Sequence, residues 1–135
     1  MNEDQRKNII KETFDQVSCE YDRPALRFFS ESARHLAALL RLRGTERALD
    51  VATGTGHAAL AAAAQLPHGE ATGVDFSRGM LEQARRKAAE RNIRNVRFVE
   101  MDMQAMTFAE ASFDAVLCAF GIFFADDMDR QLAHM

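Results

Sequence analysis

The stretch Ala48-Leu49-Asp50-Val51-Ala52-Thr53-Gly54-Thr55-Gly56-His57-Ala58-Ala59 constrains the fold of this chain more than any other. It reads as a strand that breaks into a glycine turn and enters a helix. Glycines at such a turn let the backbone bend tightly and come close to a ligand with no side chain in the way. The helix N-terminus adds backbone donors that have no partner inside the helix. In an open parallel sheet this is the end of the strands where ligands bind, near the point where strand order reverses.

The rest of the chain fits around that unit. Its 135 residues, nearly half of them apolar, suffice for one core and fall short of two ordinary domains. From Glu3 to about Val17, Ile9, Ile10, Phe14 and Val17 recur among charges at helical spacing. After a break at Ser18-Cys19-Glu20-Tyr21, Asp22 caps a second helix whose first turn holds Pro24. Leu26, Phe29, Ala33, Leu36, Leu39 and Leu40 mark its apolar face, through about Leu42. Residues 1–44 form a helical lead-in or lid, and residues 45–135 form the core. There, short apolar runs alternate with helical stretches, the pattern of an α/β fold with a Rossmann-like open parallel sheet. Strands are expected at about Arg47–Ala52, Ala71–Asp75, Val96–Met101 and Phe113–Ala119. Between them come an alanine-rich helix, His57 to Leu66, and a helix capped by Ser77 with Met80, Leu81, Ala84 and Ala88 facing inward. On the latter, Arg85, Arg86, Lys87, Glu90 and Arg91 make a solvated face. A last helix enters near Asp126, with Asp126 and Asp127 as its acidic first turn.

Two ligand classes compete for the turn. Gly54, Gly56 and Ala59 satisfy the loose dinucleotide fingerprint G-x-G-x-x-G/A, and Asp75 lies 19 residues after Gly56, where a ribose-binding acid belongs. The context favours the other class. Asp50, followed by Gly54-Thr55-Gly56, resembles motif I of class I S-adenosylmethionine-dependent methyltransferases, with Ala52 in place of the first of three glycines. An Ala-Thr-Gly-Thr-Gly turn is similar to that of the ubiquinone and menaquinone biosynthesis group. Gly73-Val74-Asp75-Phe76-Ser77-Arg78-Gly79-Met80 resembles that group's second motif, Phe113 to Gly121 its strand 4 motif, and Phe14-Asp15-Gln16-Val17 through Tyr21-Asp22 its lead-in.

The resemblance implies a set of contacts with S-adenosylmethionine. Asp50, Ala52, Thr53, Gly54 and Gly56 form the turn around it. Asp75 accepts from both ribose hydroxyls and Phe76 lies against the adenine. Asp102 meets the adenine amino group, and the next N–H, that of Met103, meets a ring nitrogen. Phe120 faces the methionine portion and Tyr21 acts as a lid. It also implies a strand order of 3-2-1-4, truncated relative to the family's seven strands ordered 3-2-1-4-5-7-6. A scaffolding role for Asp50, held by N–H groups of the turn, stands beside direct contact. Phe120, Phe123 and Phe124 line a substrate cavity or pack in the core. His57 is positional rather than catalytic, and no general base is visible. Methyl transfer from a sulfonium needs one only if the acceptor must lose a proton.

A net charge of −3 gives no electrostatic footprint for nucleic acid. No apolar stretch approaches the roughly 18 residues that span a bilayer, and the charged N-terminus lacks a signal peptide's apolar core, so a cytoplasmic chain is expected. Cys19 and Cys118 do not form a metal-type pair and read as reduced structural thiols. The expected function is methyl transfer to a small-molecule acceptor. A cofactor-binding module without catalysis is the alternative, and an NAD(P)-binding domain the weaker third. The apolar run Ala115 to Phe120 has the character of a strand buried on both faces. Left as an edge, it predicts self-association of the chain through strand 4.

Overall fold

A computed structural model of the chain describes residues 2–20, 27–119 and 128–135. Four strands, β1 (Arg47–Val51), β2 (Glu70–Asp75), β3 (Val96–Glu100) and β4 (Ala115–Leu117), form one parallel sheet, as the alternating pattern predicts, in the order β3-β2-β1-β4 that the resemblance implies. The helices are α1 (Glu3–Val17), α2 (Arg27–Leu39), α3 (His57–Ala64), α4 (Arg78–Glu90) and α5 (Met128–His134). One 3-10 turn, Ser18–Glu20, follows α1 and another, Met103–Ala105, follows β3. The expected cap at Asp22, the first turn at Pro24 and the acidic pair Asp126-Asp127 lie outside the described residues.

Alternation along the strands sorts side chains to two faces. Ala48, Ala71 and Leu117 meet the alanines of α3, with Ala33 and Ala37 of α2 closing over them. Small side chains let α3 pack on the sheet and α2 pack on α3. Beside them, Phe98 is packed by Ala59, Leu60, Leu81, Ala84 and Ala88 from α3 and α4. On the opposite face, Leu49, Val51 and Val74 are covered by a methionine- and phenylalanine-rich connection between β3 and β4. Val51 and Val74 are wholly buried, each worth about 1.5–3 kcal/mol relative to exposure.

Polar side chains fix the ends. The Asn95 amide donates to the carbonyls of Ala63 (2.9 Å) and Leu66 (2.8 Å), so α3 closes at Ala64, ahead of its expected end. At the far end of the sheet, Asp114 accepts the Arg47 N–H with its carboxylate (2.9 Å) and donates its own N–H to the Arg47 carbonyl (2.8 Å).

Three expectations change. β4 is three residues long rather than seven, and Ala115 and Val116 are only half-buried. Its register sets Leu117 against Asp50, so Ala119 falls opposite Ala52, where β1 has already turned out of the sheet and offers no ladder. Leu39 is 64% exposed, and Ala37 takes the fully buried place on α2. Ile9 and Val17 of α1 are also exposed, leaving Ile10 and Phe14 on its inner face. Adjacent helical positions point about 100° apart, so Ile9 and Ile10 cannot both face inward.

Candidate functional site

The turn after β1 is built from three residues in the left-handed region: Ala52 (φ +55°), Gly54 (φ +59°) and Gly56 (φ +88°). The glycines adopt it freely, whereas Ala52 does so at a cost of about 1–2 kcal/mol. Hydrogen bonds hold the shape. Thr53 donates its N–H to the Val74 carbonyl and accepts the Gly56 N–H on its own carbonyl, both at 2.9 Å. A Cβ at Gly56 would lie 3.0 Å from the Ala84 side chain and from the Phe98 ring, so this glycine permits α3 to pack on α4. At Gly54 no atom of the described residues lies within 4 Å of the same position. The surface of the turn is open there.

Asp75, at the end of β2, crosses to this turn. Its Oδ2 accepts the Gly54 N–H and its Oδ1 the Ser77 N–H, each at 2.9 Å. Burial pushes the carboxyl above the usual carboxylate range, and the N–H groups of Ser77, Gly54 and Phe76 hold the rise in check. A carboxylate has about four lone-pair sites. These two bonds leave capacity for further donors.

Asp50 does something different. Alternation places it on the Ala48 face, beneath the start of α3, where its Oδ2 accepts the Thr53 hydroxyl at 2.7 Å. Its Oδ1 is buried with no hydrogen-bond partner among the described residues. Burial pushes this carboxyl up to about 7, against the pull of the Thr53 hydroxyl and the Ala59 N–H, with the charge of Asp75 adding to the rise. The geometry is that of a scaffold under the turn.

Beyond β3, Asp102 caps the 3-10 turn by accepting the Gln104 N–H on Oδ1 (2.9 Å). Ala52, Gly54, Asp75, Phe76, Asp102 and Met103 line one cavity of about 90 Å³ at the carboxyl ends of β1, β2 and β3. Of the expected contacts, Asp50, Thr53 and Gly56 sit below the turn and do not line it, while Tyr21 and Phe120 lie outside the described residues.

Sequence reading assigned residues 1–44 to a lead-in or lid but named neither Lys7 nor Ile10 as a lining residue. Lys7, Ile10 and Phe14 of α1 close over the cavity. Their i, i+3, i+7 spacing was the available signal. Lys7 Nζ lies 3.2 Å from Asp102 Oδ2 and 2.7 Å from Glu3 Oε1. Farther along α1, Asp15 Oδ1 accepts the Ser77 hydroxyl (2.5 Å) and the Gly79 N–H (2.9 Å), docking α1 on the start of α4. Gln131 of α5 was also missed: it is buried and donates to the Met103 carbonyl at 2.9 Å. Two residues assigned to a solvated face are engaged instead. Arg85 donates to the Phe98 carbonyl (2.8 Å), and Lys87 reaches the Thr55 hydroxyl (3.2 Å) and lies 3.4 Å from His57 Nδ1.

Known proteins resemble this chain in sequence and in fold. The chain is 34% identical over 134 residues to the aklanonic acid methyltransferase DauC of a Streptomyces species, covering 98% of this chain and 61% of that protein. It is 42% identical over 93 residues to the demethylmenaquinone methyltransferase of Thermus thermophilus, covering 69% and 42%. The chain thus spans about half the length of these relatives. Among solved structures, the YcgJ protein of Bacillus subtilis superposes with a TM-score of 0.69 at 30% identity, over 77% of this chain and 44% of that one. A methyltransferase from Aquifex aeolicus reaches a TM-score of 0.75 at 17% identity, over 89% and 64%, which shows the shared fold. Residues 48–135 match the family described as "Methyltransferase domain", and the chain belongs to that family.

Proposed function

We propose that the cavity beneath α1 takes S-adenosylmethionine, and that the protein transfers its methyl group to a small, largely apolar acceptor. The observation that carries this reading is that Asp75, Phe76 and Asp102 line one cavity together with Gly54, whose surface is open. Asp75 retains acceptor capacity for a pair of ribose hydroxyls after its two backbone bonds. Phe76 offers a ring for the nucleobase and Asp102 Oδ2 an acceptor for its amino group. Asp50 and Thr53 keep the turn in shape from below, outside the contact surface. Residues 1–44 act as lead-in and lid.

When bound, the sulfonium supplies a carbon already activated by its positive leaving group, so the protein's task is to position donor and acceptor. The acceptor's place is a groove of about 530 Å³ between α2 and the end of β4, lined by His35, Leu36, Leu39 and Cys118, which meets the cavity at Ala119. Relatives named for aklanonic acid and demethylmenaquinone support a quinone-type aromatic acceptor. We also propose a cytoplasmic setting, and self-association along β4, which in the described sheet pairs with β1 alone. Light scattering at micromolar concentration tests the latter; a monomer overturns it. A second reading is a cofactor-binding module without catalysis of its own.

Calorimetric titration with S-adenosylmethionine and S-adenosylhomocysteine, with NADH as control, tests the premise shared by both readings. Binding of the sulfur compounds and not of NADH is expected. A methyl-transfer screen with quinone and aromatic acid acceptors then separates enzyme from module.

A further inference from the structure

Two cavities meet at Lys7. The inner one, of about 90 Å³, is the site described above. An outer groove of about 650 Å³ runs along α1 past Asn8 and Lys11. Phe76, Met101 and Asp102 line both, and so does Lys7, which through its contact with Asp102 forms part of the partition they share. Pockets that enclose small ligands measure roughly 300 Å³ or more, so the inner cavity does not admit a nucleoside while the partition is closed.

The chemistry of the partition is specific. Asp102 gives Oδ1 to the Gln104 N–H, which leaves Oδ2, and the Lys7 ammonium lies 3.2 Å from it. That is the oxygen assigned to the nucleobase amino group. The ammonium is 2.7 Å from Glu3 as well, so it keeps an anionic partner when it releases Asp102. The far end of α1 stays docked through Asp15 on Ser77 and Gly79, which confines any movement to its first turns.

We infer that Lys7 is the gate at the nucleobase end of the site, competing with the incoming base for Asp102 Oδ2 and joining the inner cavity to the outer groove when it is displaced. The inference rests on the cofactor reading above. A base entering from the groove takes the carboxylate oxygen, and Lys7 withdraws toward Glu3. The energy of the Lys7–Asp102 pair is thereby subtracted from the affinity of the ligand.

S-adenosylhomocysteine titrated into the unaltered chain, Lys7→Met, Lys7→Arg, Asp102→Asn and the double variant Lys7→Met/Asp102→Asn tests the gate. Lys7→Met, which keeps an apolar stem and removes the charge, is expected to bind about twofold to fivefold tighter, the scale of one partly exposed ion pair. Lys7→Arg retains the pair and stays near the unaltered affinity. In the Asp102→Asn background, Lys7→Met changes nothing. Binding by the unaltered chain that Lys7→Met leaves equal or weaker overturns the gate and leaves the cofactor reading standing. Absence of binding by the unaltered chain and by Lys7→Met alike overturns the reading itself. Binding gained only on removal of Lys7 supports both.

Discussion

The floor and the roof of the site are held by different physics. The floor is the turn after β1 with the ends of β2 and β3, and its bonds are short and shielded: Asp50 to Thr53, Gly54 to Asp75, Thr53 to Val74. The roof is α1, whose first turns are tied down by ion pairs open to water, Lys7 to Asp102 and Lys11 to Glu100, with side chains 25–39% exposed. Buried hydrogen bonds contribute about 0.5–1.5 kcal/mol each, and about 1.5–3 where the partner is charged, whereas exposed ion pairs contribute about 0–1. A preformed floor under a weakly latched roof suits a ligand that must be covered once bound.

The largest expected effect lies under the floor. The Asp50 carboxyl ionises at an ordinary 3.8 in the unfolded chain and at about 7 in the folded one. Folded protein therefore holds the proton more tightly between those values, and stability is lost as pH rises through that window. The loss amounts to about 4 kcal/mol if the full shift is expressed. Urea denaturation at several pH values should show this slope in the parent chain and a flatter one in Asp50→Asn; parallel curves would mean that Asp50 is not buried as a neutral acid.

Next come the two glycines. Gly56→Ala combines a left-handed backbone with contacts at 3.0 Å to Ala84 and Phe98 and should cost about 2–4 kcal/mol. Gly54→Ala faces open space, so about 1–2 kcal/mol of backbone strain is the whole stability cost, while affinity for S-adenosylhomocysteine falls. Equal losses of stability in the two variants would erase the distinction between a packing glycine and a ligand-facing one. Smaller again, and opposite in sign, Ala52→Gly relieves strain at φ +55° and should stabilise by about 0.5–1 kcal/mol in the same assay.

The smallest effect belongs to the roof. Lys11→Ala breaks the pair with Glu100 and should change stability by less than about 1 kcal/mol, with an effect that fades as salt is added. A large, salt-independent loss would place the roof in the same energetic class as the floor.

The same contrast explains what the sequence revealed. The floor is local: Asp50, Gly54 and Gly56 lie within seven residues, and Asp75 follows at a fixed distance along one strand-helix-strand unit, so spacing alone announces them. The parallel sheet followed from the alternation of strands and helices for the same reason, while its order came from the resemblance. Roof contacts join residues far apart in the chain. Nothing in the local pattern of Glu3-Asp4-Gln5-Arg6-Lys7 says that Lys7 meets Asp102, since a charged helix surface looks alike whether it faces solvent or another element. Arg85 and Lys87 were misread on that account. Leu39 erred in the other direction, because hydrophobic spacing cannot tell which of two neighbouring apolar positions the adjacent helix will cover. β4 was overextended because strand length depends on its partner, and β1 leaves the sheet at Ala52.

Calorimetric titration of the chain with S-adenosylhomocysteine, before and after Asp75→Ala, tests the central claim most directly. One-site binding that Asp75→Ala weakens at least about a hundredfold, the scale of two hydrogen bonds to a charged group, is the expected result. A flat titration of the parent chain, or binding that Asp75→Ala leaves intact, would contradict it.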